Sequence, residues 1–159
     1  MIVNVDKEEY LHPHKFNEGL KLMEFGPTGD GMMFALAALL ADGDGRGGGD
    51  LFINCTEEEF TLDEDNYNRF QSCGGQYIYI HKLFGSWAGD RIVIAGDYAD
   101  KNYIPLVDDQ LKEAVSDNLY HYVQDEKSNY KDISEEIIQA IAEASASWTS
   151  PFGINVNRS

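Results

Sequence analysis

Carboxylates are the groups in this chain whose number and spacing could do chemistry, and they concentrate between Ala41 and Asn68. Asp42, Asp44, Asp50, Glu57, Glu58, Glu59, Asp63, Glu64 and Asp65 stand there against one base, Arg46. Nine acids less one base is −8, half of the formal −16 carried by all 159 residues. Two chemistries fit such a strip. Carboxylates can converge on a hard divalent cation, or a row of negative charge can meet a basic partner.

The strip divides into two parts. Asp42 to Asp50 alternates acids with five glycines, a pattern that lets carboxylates turn inward on Ca²⁺ or Mg²⁺. Asp42, Asp44 and Gly47 fall at positions one, three and six of an EF-hand loop, but Arg46 takes position five and Ile53 position twelve. The bidentate acid is missing, so a metal site built on Asp42, Asp44 and Asp50 is non-standard and needs Glu57 or Asp63 to complete it. A glycine-rich helix exit with solvated acids accounts for the same residues. The second part, Glu57, Glu58, Glu59, Asp63, Glu64 and Asp65, has only Phe60 and Leu62 as anchors and reads as an exposed loop or edge. A row of carboxylates can match the charge of phosphates, so a basic protein surface, such as that of a nucleic-acid-binding protein, is the partner it suits.

Other constellations are weaker. His12 and His14 flank Pro13 and would point the same way from an extended segment, as a two-histidine metal clip requires, but no third ligand is identifiable and a surface turn fits better. His81, beside Tyr77 and Tyr79, reads as a satisfied core histidine. Asp90, Asp97 and Asp100 invite a Mg²⁺-dependent phosphoryl-transfer reading, yet seven residues of strand separate Asp90 from Asp97 by about 23 Å. Gly26 to Gly31 begins like a phosphate loop, but Met32 and Met33 stand where the lysine and hydroxyl belong, so a turn and helix cap fit better. No nucleophile elbow, HExxH or CxxC occurs. The motifs favour a protein that is not an enzyme and name no cofactor beyond Ca²⁺ or Mg²⁺.

Composition bounds the rest. Hydrophobic residues make up 43 % and aromatics 12 %, enough for a core in one domain, expected over 1–154 with a polar tail at 155–159. The negative charge disfavours direct binding to nucleic acid or to an anionic membrane. Cys55 and Cys73 lie 18 residues apart without a zinc pattern and read as free thiols. The longest apolar run, Met32 to Ala41, is half a membrane span, and the start MIVNVDKEEY is unlike a signal peptide, so the expected location is the cytoplasm.

The elements that must position these residues follow from patterning. Ile2, Val3 and Val5 suggest a strand or arm, then a turn at Leu11-His12-Pro13-His14. Gly19 to Phe25 reads as a strand. Met32 to Ala41 predicts a buried helix, apolar on every side, capped by Thr28 or Asp30. Leu51 to Asn54 predicts a short strand. Gln76 to Lys82 and Arg91 to Ala95 predict a hairpin of two central strands joined by a turn at Gly85 to Asp90. Asp109 to Asp117, Asn118 to Gln124 and Ser134 to Ser145 predict helices, the last with Ile137, Ile138, Ile141 and Ala144 on one face and Asp132 or Ser134 as cap. The class is α+β: a mostly antiparallel sheet holding the 76–95 hairpin, a buried apolar helix packed on it, and C-terminal helices over one side.

The phrases LHPHKF with GLKLMEFG, LLADGDGRGGGDL and SWAGDRIVIAGDYAD resemble segments of uncharacterised proteins of bacteriophages and prokaryotic mobile elements. The resemblance covers about the first two-thirds of the chain and brings no activity, cofactor or catalytic residue. What it implies is context, because small acidic phage proteins are often inhibitors of host enzymes, some of them nucleic-acid mimics.

Overall fold

A computed structural model describes residues 1–27, 31–42, 51–56, 58, 67–73, 76–98 and 118–146. The fold is α+β and its sheets are mostly antiparallel. Contacts divide the chain into two compact units, Met1–Met32 with Asp90–Glu135, and Met33–Gly89 with Glu136–Ser159.

The first unit holds a four-stranded sheet. Strand β1 (Ile2–Asn4) pairs antiparallel with β2 (Glu9–Leu11) on one side and with Ile92–Ile94 on the other, and β2 pairs parallel with the two-residue strand Lys131–Asp132. Period-2 alternation sends Met1, Val3 and Val5 into one cluster with Tyr10, Ala95, Leu119, Tyr120, Tyr122 and Val123. Ile2 and Asn4 face the other way and are also fully buried, as befits a central strand. After β2 the chain turns through a 3₁₀ helix, Pro13–Phe16, with proline in the first turn and Phe16 buried. Asn17 closes it with a left-handed φ of 57°.

The second unit holds an antiparallel sheet in which β5 (Gln76–His81) lies between β3 (Ile53–Cys55) and β4 (Tyr67–Cys73). The register on β4 shifts between Tyr67 and Arg69. Helix α2 (Met32–Leu40) buries Met32, Ala35, Ala38 and Leu39, while Ala37 and Leu40 reach solvent, so it is buried along a face rather than all round. Thr28 and Asp30 lie outside the described residues; at the helix start, Glu18 Oε2 accepts from the Met32 N–H at 3.4 Å. Its last carbonyls meet the segment after β5, where the Gly85 N–H donates to Ala38 O at 2.9 Å and the fully buried Trp87 donates to Leu39 O at 2.8 Å.

Helix α3 (Leu119–Gln124) begins at Asn118, whose side chain accepts from the His121 N–H at 3.2 Å. Strand β7 (Lys131–Asp132) then leads into α4 (Ser134–Ala146), where Asp132 Oδ1 accepts from the Ser134 N–H at 2.9 Å, Asp132 being one of the two caps expected from sequence. Ile137, Ala140, Ile141 and Ala144 are buried, at the spacing of one helical face. Burying the two isoleucines contributes roughly 1.5–3 kcal/mol each.

Three expectations are corrected. Gln76 to Lys82 and Arg91 to Ala95 are not a hairpin, because β6 (Ile92–Ile94) pairs with β1 while β5 pairs with β3 and β4. The intervening segment folds into successive four-residue turns (Phe84 to His81, Ser86 to Leu83, Ala88 to Gly85) that bury Leu83, Phe84 and Trp87 and carry the chain away from β5. Consequently β5 is central as expected, but among the described residues β6 is an edge strand with Ile94 half exposed. The segment Gly19 to Phe25 holds no strand. Leu22–Phe25 is a single helical turn, α1, closed by Glu24 Oε2 accepting from the Lys21 N–H at 3.0 Å.

Candidate functional site

Of the nine acids between Ala41 and Asn68, Asp42 and Glu58 belong to the described residues, and both are exposed. Asp42 sits two residues past the end of α2, where the helix exit was expected. Asp44, Asp50, Glu57, Glu59, Asp63, Glu64 and Asp65 lie outside the described residues, as does Asp100. Among the described residues no three His, Cys, Asp or Glu side chains come together to hold a metal.

The best-defined charged cluster is elsewhere, at the turn joining β1 to β2. Asn4 is fully buried and organises it. Its Oδ1 accepts from the backbone N–H groups of Asp6 at 3.0 Å and Lys7 at 2.9 Å, and its Nδ2 donates to Asp90 Oδ2 at 2.9 Å. Lys7 Nζ reaches the same Asp90 oxygen at 2.6 Å. Beside it, Asp6 accepts from the Arg91 backbone N–H at 2.7 Å and from Nε and Nη2 at 2.9 and 2.7 Å. The turn is thus fastened to the start of β6 by two adjacent carboxylate pairs.

Electrostatics follow from those bonds. The Arg91 guanidinium and backbone hold the Asp6 carboxyl below the usual carboxylate range. Asn4 and Lys7 do the same for Asp90. Burial, with Glu8 beside it, pushes the Tyr130 hydroxyl up to about 12. Both aspartates therefore accept from several donors as fixed anions, which suits fastening a turn. Asp90 is engaged by Lys7 and Asn4, and the strand after it spans only Ile92–Ile94; the Asp97 carbonyl accepts from Asn118 Nδ2 at 2.9 Å.

A second cluster gathers histidines. His12 and His14 do approach each other, with ring centroids 5.0 Å apart, and His12 stands 6.2 Å from the Tyr120 ring. His12 Nδ1, however, accepts from the His14 N–H at 3.2 Å, so the pair forms the turn that competed with the metal-clip reading. His81 is half-buried, with Nδ1 accepting from the Leu83 N–H at 3.1 Å, as a satisfied histidine should be.

The two cysteines sit in strands on opposite sides of β5, with Cys55 paired to Tyr77 and Cys73 to Gln76. Two strand spacings separate their backbones by roughly 10 Å, beyond the ~7 Å limit for a disulfide.

The Asn4 and Asp6 contacts with Asp90 and Arg91 were missed from sequence because they join residues more than eighty positions apart. The one local signal was the spacing of Asn4 and Asp6, an acceptor placed to cap its own turn. No protein family, curated protein or solved structure matches this chain. Among the described residues no helix is long and apolar enough to cross a membrane.

Proposed function

We propose that this chain is an acidic, non-enzymatic interaction protein that docks on a basic host protein surface, in the manner of a phage-type inhibitor or nucleic-acid mimic. The observation that carries the reading is charge placement: half of the formal −16 lies in the 28 residues from Ala41 to Asn68. The docking row is Glu57, Glu58, Glu59, Asp63, Glu64 and Asp65. Exposure of Glu58 and Asp42 is compatible with it. A field of this size speeds encounter with a cationic surface, and carboxylate pairs desolvated on docking slow release.

Capture from a bacterial lysate on the immobilised protein tests the reading. The expected result is a basic protein that elutes as salt rises and is not retained by a chain with those six acids changed to their amides. Retention that ignores both salt and the amide changes would overturn it.

A further inference from the structure

We propose that His12 and His81 form a matched pair of proton-sensitive turn caps, one in each compact unit, so that mild acidification opens the turns following β2 and β5. The geometry repeats closely. His12 directly follows β2; its carbonyl accepts from the Lys15 N–H at 3.0 Å while Nδ1 accepts from the His14 N–H at 3.2 Å. His81 ends β5; its carbonyl accepts from the Phe84 N–H at 3.0 Å while Nδ1 accepts from the Leu83 N–H at 3.1 Å. In both, one residue supplies two acceptors, to the N–H groups two and three positions on.

An imidazole nitrogen accepts only with a free lone pair, so both rings carry their proton on Nε2. A second proton converts Nδ1 into a donor facing another donor, and the cap is lost. The rings have little freedom to turn away, since His12 is packed beside His14 and Tyr120, and His81 stands 5.8 Å from the Phe84 ring.

Much hangs on each turn. The His12 cap starts the 3₁₀ helix that buries Phe16, and the His12 N–H donates to Ser134 Oγ at 2.8 Å at the start of α4. The His81 cap starts the segment whose Gly85 and Trp87 N–H groups close the end of α2.

The charged surroundings are mixed. Around His12 stand His14 and Lys15 from the 3₁₀ helix, Asp132 from β7 and the amino group of Met1, with the Tyr120 ring contributed by α3. Around His81 stand Lys82 from its own turn and Glu136 and Glu143 from α4. The carboxylates favour the charged form, but burial is the largest influence at both rings and holds both below the ordinary histidine value. With the folded value lowered, the unfolded chain binds more protons. The caps' contribution is therefore complete above the unfolded value, about 6.5, and is lost as pH falls through the lower folded values.

Two measurements on the whole chain test this. Nitrogen-15 NMR of the imidazoles at neutral pH is expected to show both His12 and His81 as the neutral Nε2–H tautomer. Melting temperature is expected to fall from about pH 7 to about pH 5, and to fall less steeply in the double variant His12→Asn, His81→Asn, whose Oδ1 accepts the same N–H without titrating, while the Met1 amino group, lowered by burial to about 6, titrates alike in both chains. An Nδ1–H tautomer at either residue, or an equal fall in the variant, would overturn the proposal. Should the variant not fold, the tautomers decide.

Discussion

Replacing Asn4 by alanine tests the mechanical core of the fold. The side chain is fully buried and makes three hydrogen bonds, to the N–H groups of Asp6 and Lys7 and to Asp90 Oδ2. At roughly 1 kcal/mol net for each bond, Asn4→Ala should cost about 3 kcal/mol. In a chain of this size that corresponds to a melting temperature lower by roughly 6–12 °C. Urea unfolding followed by circular dichroism measures it directly. Asn4→Asp is the informative companion: it keeps an acceptor for both N–H groups but replaces the donor to Asp90 with a second carboxylate. It should fall between alanine and the parent under acidic conditions and lose ground as the pH rises and the two carboxylates repel. A loss below about 0.5 kcal/mol in Asn4→Ala would refute the claim that this residue ties the β1–β2 turn to β6.

Further outcomes follow from other residues. Gly85→Ala should destabilise clearly more than Gly89→Ala, because both have φ near +80° but a Cβ at Gly85 would stand 2.8 Å from the Ala41 carbonyl oxygen while Gly89 has open space; paired thermal melts compare them. Asp6 and Asp90 have lowered folded values, so what they add is complete above the unfolded value of 3.8 and lost as pH falls through the folded ones; Asp6→Asn should flatten part of the acid limb of a pH-stability curve. On the docking reading, Ca²⁺ or Mg²⁺ leaves the melting temperature where a chelator leaves it. A metal site at Asp42, Asp44 and Asp50 would instead add about 2.7 kcal/mol at one hundred times its dissociation constant.

Local patterns were the legible part of the fold. The α4 stripe of Ile137, Ile141 and Ala144 and its Asp132 cap follow from 3.6-residue periodicity, and the central place of β5 follows from its dense β-branched and aromatic residues. Long-range pairing was not legible. β6 joins β1, more than eighty residues upstream, because the turns that bury Phe84 and Trp87 take the chain away from β5, and no composition signal announces that. β4 passed unnoticed because Asn68, Arg69, Gln71 and Ser72 break the apolar run a strand usually shows. Gly19 to Phe25 read as a strand from Leu20 and Leu22, yet the Glu24 carboxylate folds back on the Lys21 N–H and Leu22–Phe25 winds into a helical turn. For the acidic strip, charge was legible residue by residue, whereas convergence or spread is a property of three-dimensional placement that spacing alone does not determine.

The docking claim is tested most directly by association kinetics with the captured basic partner, measured for the parent chain and for the variant with Glu57, Glu58, Glu59, Asp63, Glu64 and Asp65 changed to amides. Steering by these carboxylates predicts a parent association rate that drops steeply as salt rises, and a variant that associates slowly and responds little to salt. Equal rates and equal salt dependence for the two chains would contradict the account.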